Sequence, residues 1–166
     1  MDRSAEESSC DTSFMAQALE QAREAAQEDE IPVGAVIVRN TVVIATGRNQ
    51  REALHDPTAH AEICALKEAA RLLKSWRLND CTLYVTLEPC IMCVGAIVQA
   101  RIRRLVFGCL DAKGGAVESL YRICEDGRLN HQVDARGGIL AEESAQLLES
   151  FFSDLRIRNQ GSRSLT

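Results

Sequence analysis

Apolar residues recur at helical spacing between Ser13 and Asp29, at Phe14, Met15, Ala18, Leu19, Ala22, Ala25 and Ala26. That period predicts an amphipathic helix. Two β-branched runs follow, Val33 to Val38 and Val42 to Thr46, on either side of Arg39-Asn40-Thr41. They predict a hairpin. Both runs are almost continuously apolar, so their sheet is expected to be covered on both faces. Asp56-Pro57-Thr58 has the residue types of a helix start, a capping acid and a proline suited to the first turn. The helix it predicts would bury Ile63, Leu66, Ala70 and Leu73. Thr82 to Leu87 reads as a strand. Glu88-Pro89 ends it, because the residue before a proline is pushed out of the α region. A second apolar helix is predicted from about Cys90 to Ala100, then a short strand at Leu105-Val106-Phe107 and a loop from Asp111 to Gly115. Residues 116 to 138 have no clear period. Ala141 to Arg158 predicts a last helix, with Glu142 and Glu143 in its first turn and Arg156 and Arg158 in its last, as the helix dipole favours. Strands alternating with helices after an opening hairpin predict an α/β fold, a three-layer α/β/α sandwich with a mixed sheet.

The length of 166 residues suits one domain with its own core. Residues 1 to 12 are expected to form a disordered acidic N-terminus, 13 to 159 the folded domain, and 160 to 166 a disordered tail. The first thirty residues hold nine acids and two bases, so the formal charge of −5 is concentrated there. Sixteen of the nineteen basic residues are Arg, which suits bidentate phosphate contacts. The acidic balance nonetheless argues against bulk nucleic-acid binding. Pro89 to Ala100 is too short to span a bilayer, which takes ~20 apolar residues. The first residues have no secretory pattern, so no membrane partner is expected. Seven cysteines are many, odd in number and without an export signal. Reduced thiols in the cytoplasm fit better than a disulfide framework, and metal binding becomes the chemistry to examine. Cys10, Cys81, Cys109 and Cys124 read as small buried or incidental residues, and Trp76 as packing.

Two segments carry candidate chemistry, His60-Ala61-Glu62 and Pro89-Cys90-Ile91-Met92-Cys93. Each is expected at the start of a helix. Cys90 and Cys93, three apart, share one face of a first turn. A helix N-terminus lowers thiol pKa and favours thiolate ligands. His60 supplies a nitrogen, and three protein ligands leave the fourth tetrahedral position for water, as catalytic zinc requires. Glu62 is placed to move protons to and from that water, a role worth ~10²–10⁴-fold in rate. Alone, a C-x-x-C is a redox pair, a metal pair or chance, and an H-x-E is mostly chance. Cys64, four residues from His60, could instead close a structural Cys₃His site in a non-catalytic nucleic-acid-binding module. A thiol oxidoreductase would leave His60 and Glu62 without a function.

Together these motifs resemble the signature of the cytidine deaminase superfamily of zinc deaminases. Pro32-Val33-Gly34-Ala35-Val36, Gly47-Arg48-Asn49, His55 to Glu62, Thr82 to Cys90, Gly95-Ala96-Ile97, Val106-Phe107-Gly108 and Asp111-Ala112-Lys113 resemble its bacterial-type tRNA-specific adenosine deaminases. The resemblance covers about 14 to 156 and is most specific over 55 to 113. It implies a cytidine-deaminase-like fold and a homodimer. It implies hydrolytic conversion of adenosine to inosine at the wobble position, on a tRNA anticodon stem-loop. By the same resemblance His60, Cys90 and Cys93 hold Zn2+ and Glu62 shuttles protons. Asn49 contacts the base or ribose, Asp111 and Lys113 form an RNA-contacting loop, and Phe152 and Arg156 contact flanking nucleotides from the last helix. Phe151 and Phe152 point ~100° apart on a helix, so one is expected in the core and the other exposed. Cys64 departs from the pattern, which leads one to expect a plain apolar residue there. The alternative within the superfamily is a deaminase of a free base or nucleoside, of guanine or cytosine type.

Overall fold

The computed structural model describes residues 3–163, with side chains over residues 9–160. A five-stranded sheet runs through it in the order β2-β1-β3-β4-β5. Its strands are β1 (Gly34–Arg39), β2 (Val42–Arg48), β3 (Cys81–Leu87), β4 (Arg104–Cys109) and β5 (Asp134–Arg136). β1 is antiparallel to β2 and β3, whereas β3, β4 and β5 are parallel. The predicted mixed sheet is therefore present.

Side-chain alternation divides the core into two layers. Val36, Val38, Tyr84 and Val106 face helix α1 (Arg3–Gln27), where Met15 and Ala18 meet them. Ala35, Ile37, Leu83, Val85, Leu105 and Phe107 face the other way. They pack on helices α3 (Ala61–Leu73) and α4 (Ile91–Gln99). Helix α5 (Ala141–Arg163) lies against β4 and touches α1. A short helix, α2 (Arg51–Leu54), joins β2 to α3.

Several expectations are corrected. The chain is helical from Arg3 rather than unpacked to residue 12. Asp11, 1% exposed, explains why. Both Arg104 guanidinium nitrogens donate to its carboxylate at 2.8 Å, and the Tyr84 hydroxyl donates at 2.9 Å. At the other end α5 runs to Arg163, and residues 164 to 166, like 1 and 2, lie outside the described residues. The helix expected from Asp56 starts at Ala61. Asp56 spends its Oδ1 on the amide and hydroxyl of Thr58, which closes a local turn. The buried stripe of α3 is Ala61, Glu62, Ala65, Leu66 and Ala69, shared with the expectation only at Leu66. Finally, Trp76 is 55% exposed rather than packed in the core, with the Arg77 guanidinium 4.1 Å over its ring. Of the two readings open to Cys10, buried or incidental, its exposure leaves the second.

Small residues let the layers close on the site. A Cβ on Gly47 would come within 2.3 Å of the Ala61 carbonyl oxygen. Any larger residue would push β2 off the first turn of α3.

Candidate active site

The C-terminal end of β3, the start of β1 and the end of β2 lie at one end of the sheet, and α3 and α4 begin there. His60 caps α3 with φ −75° and ψ 154°, and Cys90 caps α4 with φ −75° and ψ 171°. Both side chains thus leave the backbone from the same extended conformation, at two helix N-termini whose partial positive charge favours anionic ligands. Cys93 follows in the first turn of α4 and is fully buried.

His60 Nδ1 lies 3.7 Å from Cys90 Sγ and 3.6 Å from Cys93 Sγ. In a tetrahedron with Zn–S of about 2.3 Å and Zn–N of about 2.0–2.1 Å, a nitrogen and a sulfur stand about 3.6 Å apart. The donor set and its spacing therefore fit zinc. Among the described residues, His60, Cys90 and Cys93 are the group of potential ligands that gathers within 4.8 Å. Cys64 is not part of it. Its thiol faces Gln50 Oε1 at 3.9 Å, so the closed Cys₃His alternative is not built here.

The electrostatics fit a cation between the two sulfurs. A hydrogen bond from Cys93 and the nearby His60 hold the Cys90 thiol down to about 3, against the opposing effect of burial. Cys93 is pushed up, by its hydrogen bond to Cys90 and by burial. His60 is raised, chiefly by its hydrogen bond to Cys90. Two adjacent thiols resist ionising together, and a divalent cation removes that conflict. Glu62, in the first turn of α3, is 4% exposed. Burial raises its carboxyl to about 7.

A cavity opens beside this cluster, walled by Ile31, Val33, Leu87 and Ala61 and by the polar Asn49, Arg51, Glu88 and Asp111. Asn49 is 5% exposed, and its amide nitrogen donates to Glu30 Oε2 at 3.4 Å. Glu30, 1% exposed, also accepts the Ala53 amide at 2.8 Å. Asp111 reaches the cavity while its Oδ1 accepts the amides of Lys113 and Gly114 at 3.0 and 3.1 Å. Lys113, Phe152 and Arg156 are exposed outside the cavity wall. Phe151 is 9% exposed and Phe152 39%, as adjacent helical positions required. Arg51, Glu30 and Glu88 were not singled out from sequence. Glu88 stood in the quoted motif but read only as a strand stop. Glu30 had no local signal, since its partners lie across the fold.

Fold and donor set together define a class, the zinc-dependent deaminases. The cytidine and deoxycytidylate deaminase zinc-binding region matches residues 8–109. A tRNA-specific adenosine deaminase of Haemophilus influenzae is 47% identical over 159 residues, which cover 94% of this chain and 91% of that protein. Its counterpart in Bacillus subtilis is 42% identical over 153 residues, covering 92% and 95%. A solved structure from a study of A-to-I editing by tRNA:A34 deaminases at the wobble position superposes with a TM-score of 0.80. It is 48% identical and covers 82% of this chain and 99% of its own. A guanine deaminase of Bacillus subtilis shares 37% identity over 66% of each chain, at a TM-score of 0.57. The chain belongs to the cytidine and deoxycytidylate deaminase family and, within it, to the tRNA-specific adenosine deaminases.

Proposed function

We propose that this protein hydrolyses adenosine to inosine at the wobble position of tRNA anticodons. The observation that carries the reading is the likeness to a tRNA:A34 deaminase over 99% of that chain, at 48% identity. His60, Cys90 and Cys93 hold the zinc. When bound there, zinc would supply a water acidified to a pKa of ~7, a nucleophile for C6 of the purine. Glu62 would take one proton from that water and pass it to ring N1, then take the second from the new C6 hydroxyl and pass it to the departing amine, which leaves as ammonia. One water is consumed and one ammonia released. Glu62 stands buried in the first turn of α3, in the wall of the same cavity as His60 and Cys90, which suits it to that transfer. Asn49, oriented by Glu30, hydrogen-bonds the base or ribose. Asp111 shapes the turn that presents Lys113, and Phe152 and Arg156 meet the nucleotides flanking the extruded base. Asp11 is tied to Arg104 of the sheet, so the deaminase domain takes in the start of α1 as well as residues 13 to 159.

The chain works as a homodimer. Support comes from an apolar groove between α3 and α4, lined by Ile63, Leu66, Ala70, Ala96 and Ala100 beneath the exposed Trp76. Such a patch on a small protein fits a second copy. A cytoplasmic location fits the seven unpaired cysteines, and no described helix is long and apolar enough to cross a membrane.

The test is incubation of the purified protein with a tRNA pool, followed by mapping of adenosine-to-inosine changes. Inosine at the wobble position is expected. Turnover of free guanine or cytosine with none on tRNA would overturn the reading.

A further inference from the structure

Glu88 stands in the cavity wall, and the chemistry above does not use it. It is 2% exposed. Five donors converge on its carboxylate. Oε1 accepts the amides of Val117, Glu118 and Ser119 at 3.1, 2.7 and 2.9 Å. Oε2 accepts the Asp111 amide at 2.9 Å and the Ser119 hydroxyl. A carboxylate offers about four lone-pair sites, so this one has none left for a substrate or a proton relay. The loop also touches the backbone beside Glu88. The Ala116 amide donates to the Pro89 carbonyl at 2.9 Å, and Gly115 bridges to Cys90. A Cβ on Gly115 would lie 2.2 Å from the Glu88 carboxyl carbon. Residues 111 to 119 are thus wrapped around a side chain two positions before a metal-ligand candidate.

We propose that Glu88 is a positioning residue for substrate recognition. It fixes the loop of residues 111 to 119, whose Asp111 lines the cavity that would receive the nucleotide, and it ties that loop to the ligand-bearing segment at Cys90. What the cavity binds rests on the tRNA reading above; that Glu88 holds the loop does not. A residue at 88 without the carboxylate charge would hold the amides of Asp111, Val117, Glu118 and Ser119 less tightly, and the loop would loosen. The ligands and Glu62, on α3 and α4, would keep their places.

Three variants test this, Glu88→Gln, Ser119→Ala and Gly115→Ala. The Gln variant keeps the shape and loses the charge. Ser119→Ala removes one donor from the loop side, and Gly115→Ala crowds the carboxylate without altering it. Zinc content, amide exchange over residues 111 to 119, and KM and kcat on an anticodon stem-loop are measured for each. Glu88→Gln and Gly115→Ala should keep one zinc per chain and raise KM by ~10-fold or more, with kcat much less affected, as expected when a recognition loop is displaced. Their loop amides should exchange faster than those of the parent protein. Ser119→Ala should move the same readouts less, in the same direction. Unchanged exchange in both stronger variants would overturn the proposal. So would a fall in kcat at constant KM, or loss of zinc from a folded Glu88→Gln protein. If the parent protein ignored the stem-loop, the substrate reading would fail. The exchange comparison would then decide by itself whether Glu88 holds the loop.

Discussion

Glu62 and Cys64 stand two residues apart on α3 and meet different surroundings. Glu62 is enclosed at the ligand cluster, whereas Cys64 is half-buried and turned toward Gln50. Glu62→Ala should therefore fold and keep its zinc while losing at least ~10²-fold in turnover. Near-normal turnover would move the proton transfer to another group. Metal analysis separates the cysteines. Cys90→Ala and Cys93→Ala should each lose zinc and activity, and Cys64→Ala should retain both. Equal metal loss in the Cys64 variant would mean that four ligands, not three, hold the ion. The clustering of His60, Cys90 and Cys93 with Glu62 in the adjoining first turn could be read from sequence because helix-end placement is local, a matter of residue type and spacing. Glu30 and Glu88 could not. Their partners lie 19 to 31 positions away, and only the folded loops bring those partners in.

Long apolar periods made most elements readable, and the misreadings have physical causes. β5 contains Asp134, Ala135 and Arg136, a segment with no hydrophobic period that becomes a strand only by parallel pairing with β4. Asp56 has the chemistry of a helix cap but is satisfied by Thr58 before any helix begins. The α5 element carries its own prediction. Arg156 on α5 and Lys113 on the loop after β4 would act on phosphates through charge, so their Ala variants should weaken tRNA binding and flatten its salt dependence by about one unit of slope or less each. Phe152 would act by stacking, worth ~1–3 kcal/mol per base, so its loss should reduce affinity with the slope unchanged. Affinities at several salt concentrations for the three variants decide this. If all three matched the parent protein, α5 and that loop would not be part of the RNA surface.

Across the whole molecule, α1 is locked to the sheet by Asp11, Arg104 and Tyr84. Burial raises the Asp11 carboxyl, but hydrogen bonds from Arg104 and Tyr84 outweigh it and hold it below the usual carboxylate range. A depressed native pKa stabilises the fold above the ordinary Asp value of about 3.9, and that contribution disappears as pH falls through the lowered one. Asp11→Asn should therefore be less stable near neutrality, and its stability should change less on acidification. Removing one partner of a buried pair costs on the order of 3 kcal/mol. Denaturant midpoints at several pH values test both points, and an identical acid limb in the two proteins would reject the assignment. The N-terminal segment looked solvated because Arg104 lies 93 positions away, beyond any sequence window.

The ligands at the tips of α3 and α4 have a consequence for assembly. The same two helices carry the apolar groove on their flanks, with Ile63 and Leu66 on one side and Ala96 on the other. A cation held by His60, Cys90 and Cys93 is thus a rivet at one end of the platform on which a second copy would sit. Pulling the rivet should let the helices drift apart and spoil the platform while the sheet still holds. A chelator should then act as a dissociating agent. As zinc leaves, the mass in solution should fall from two chains to one before the far-ultraviolet circular dichroism changes.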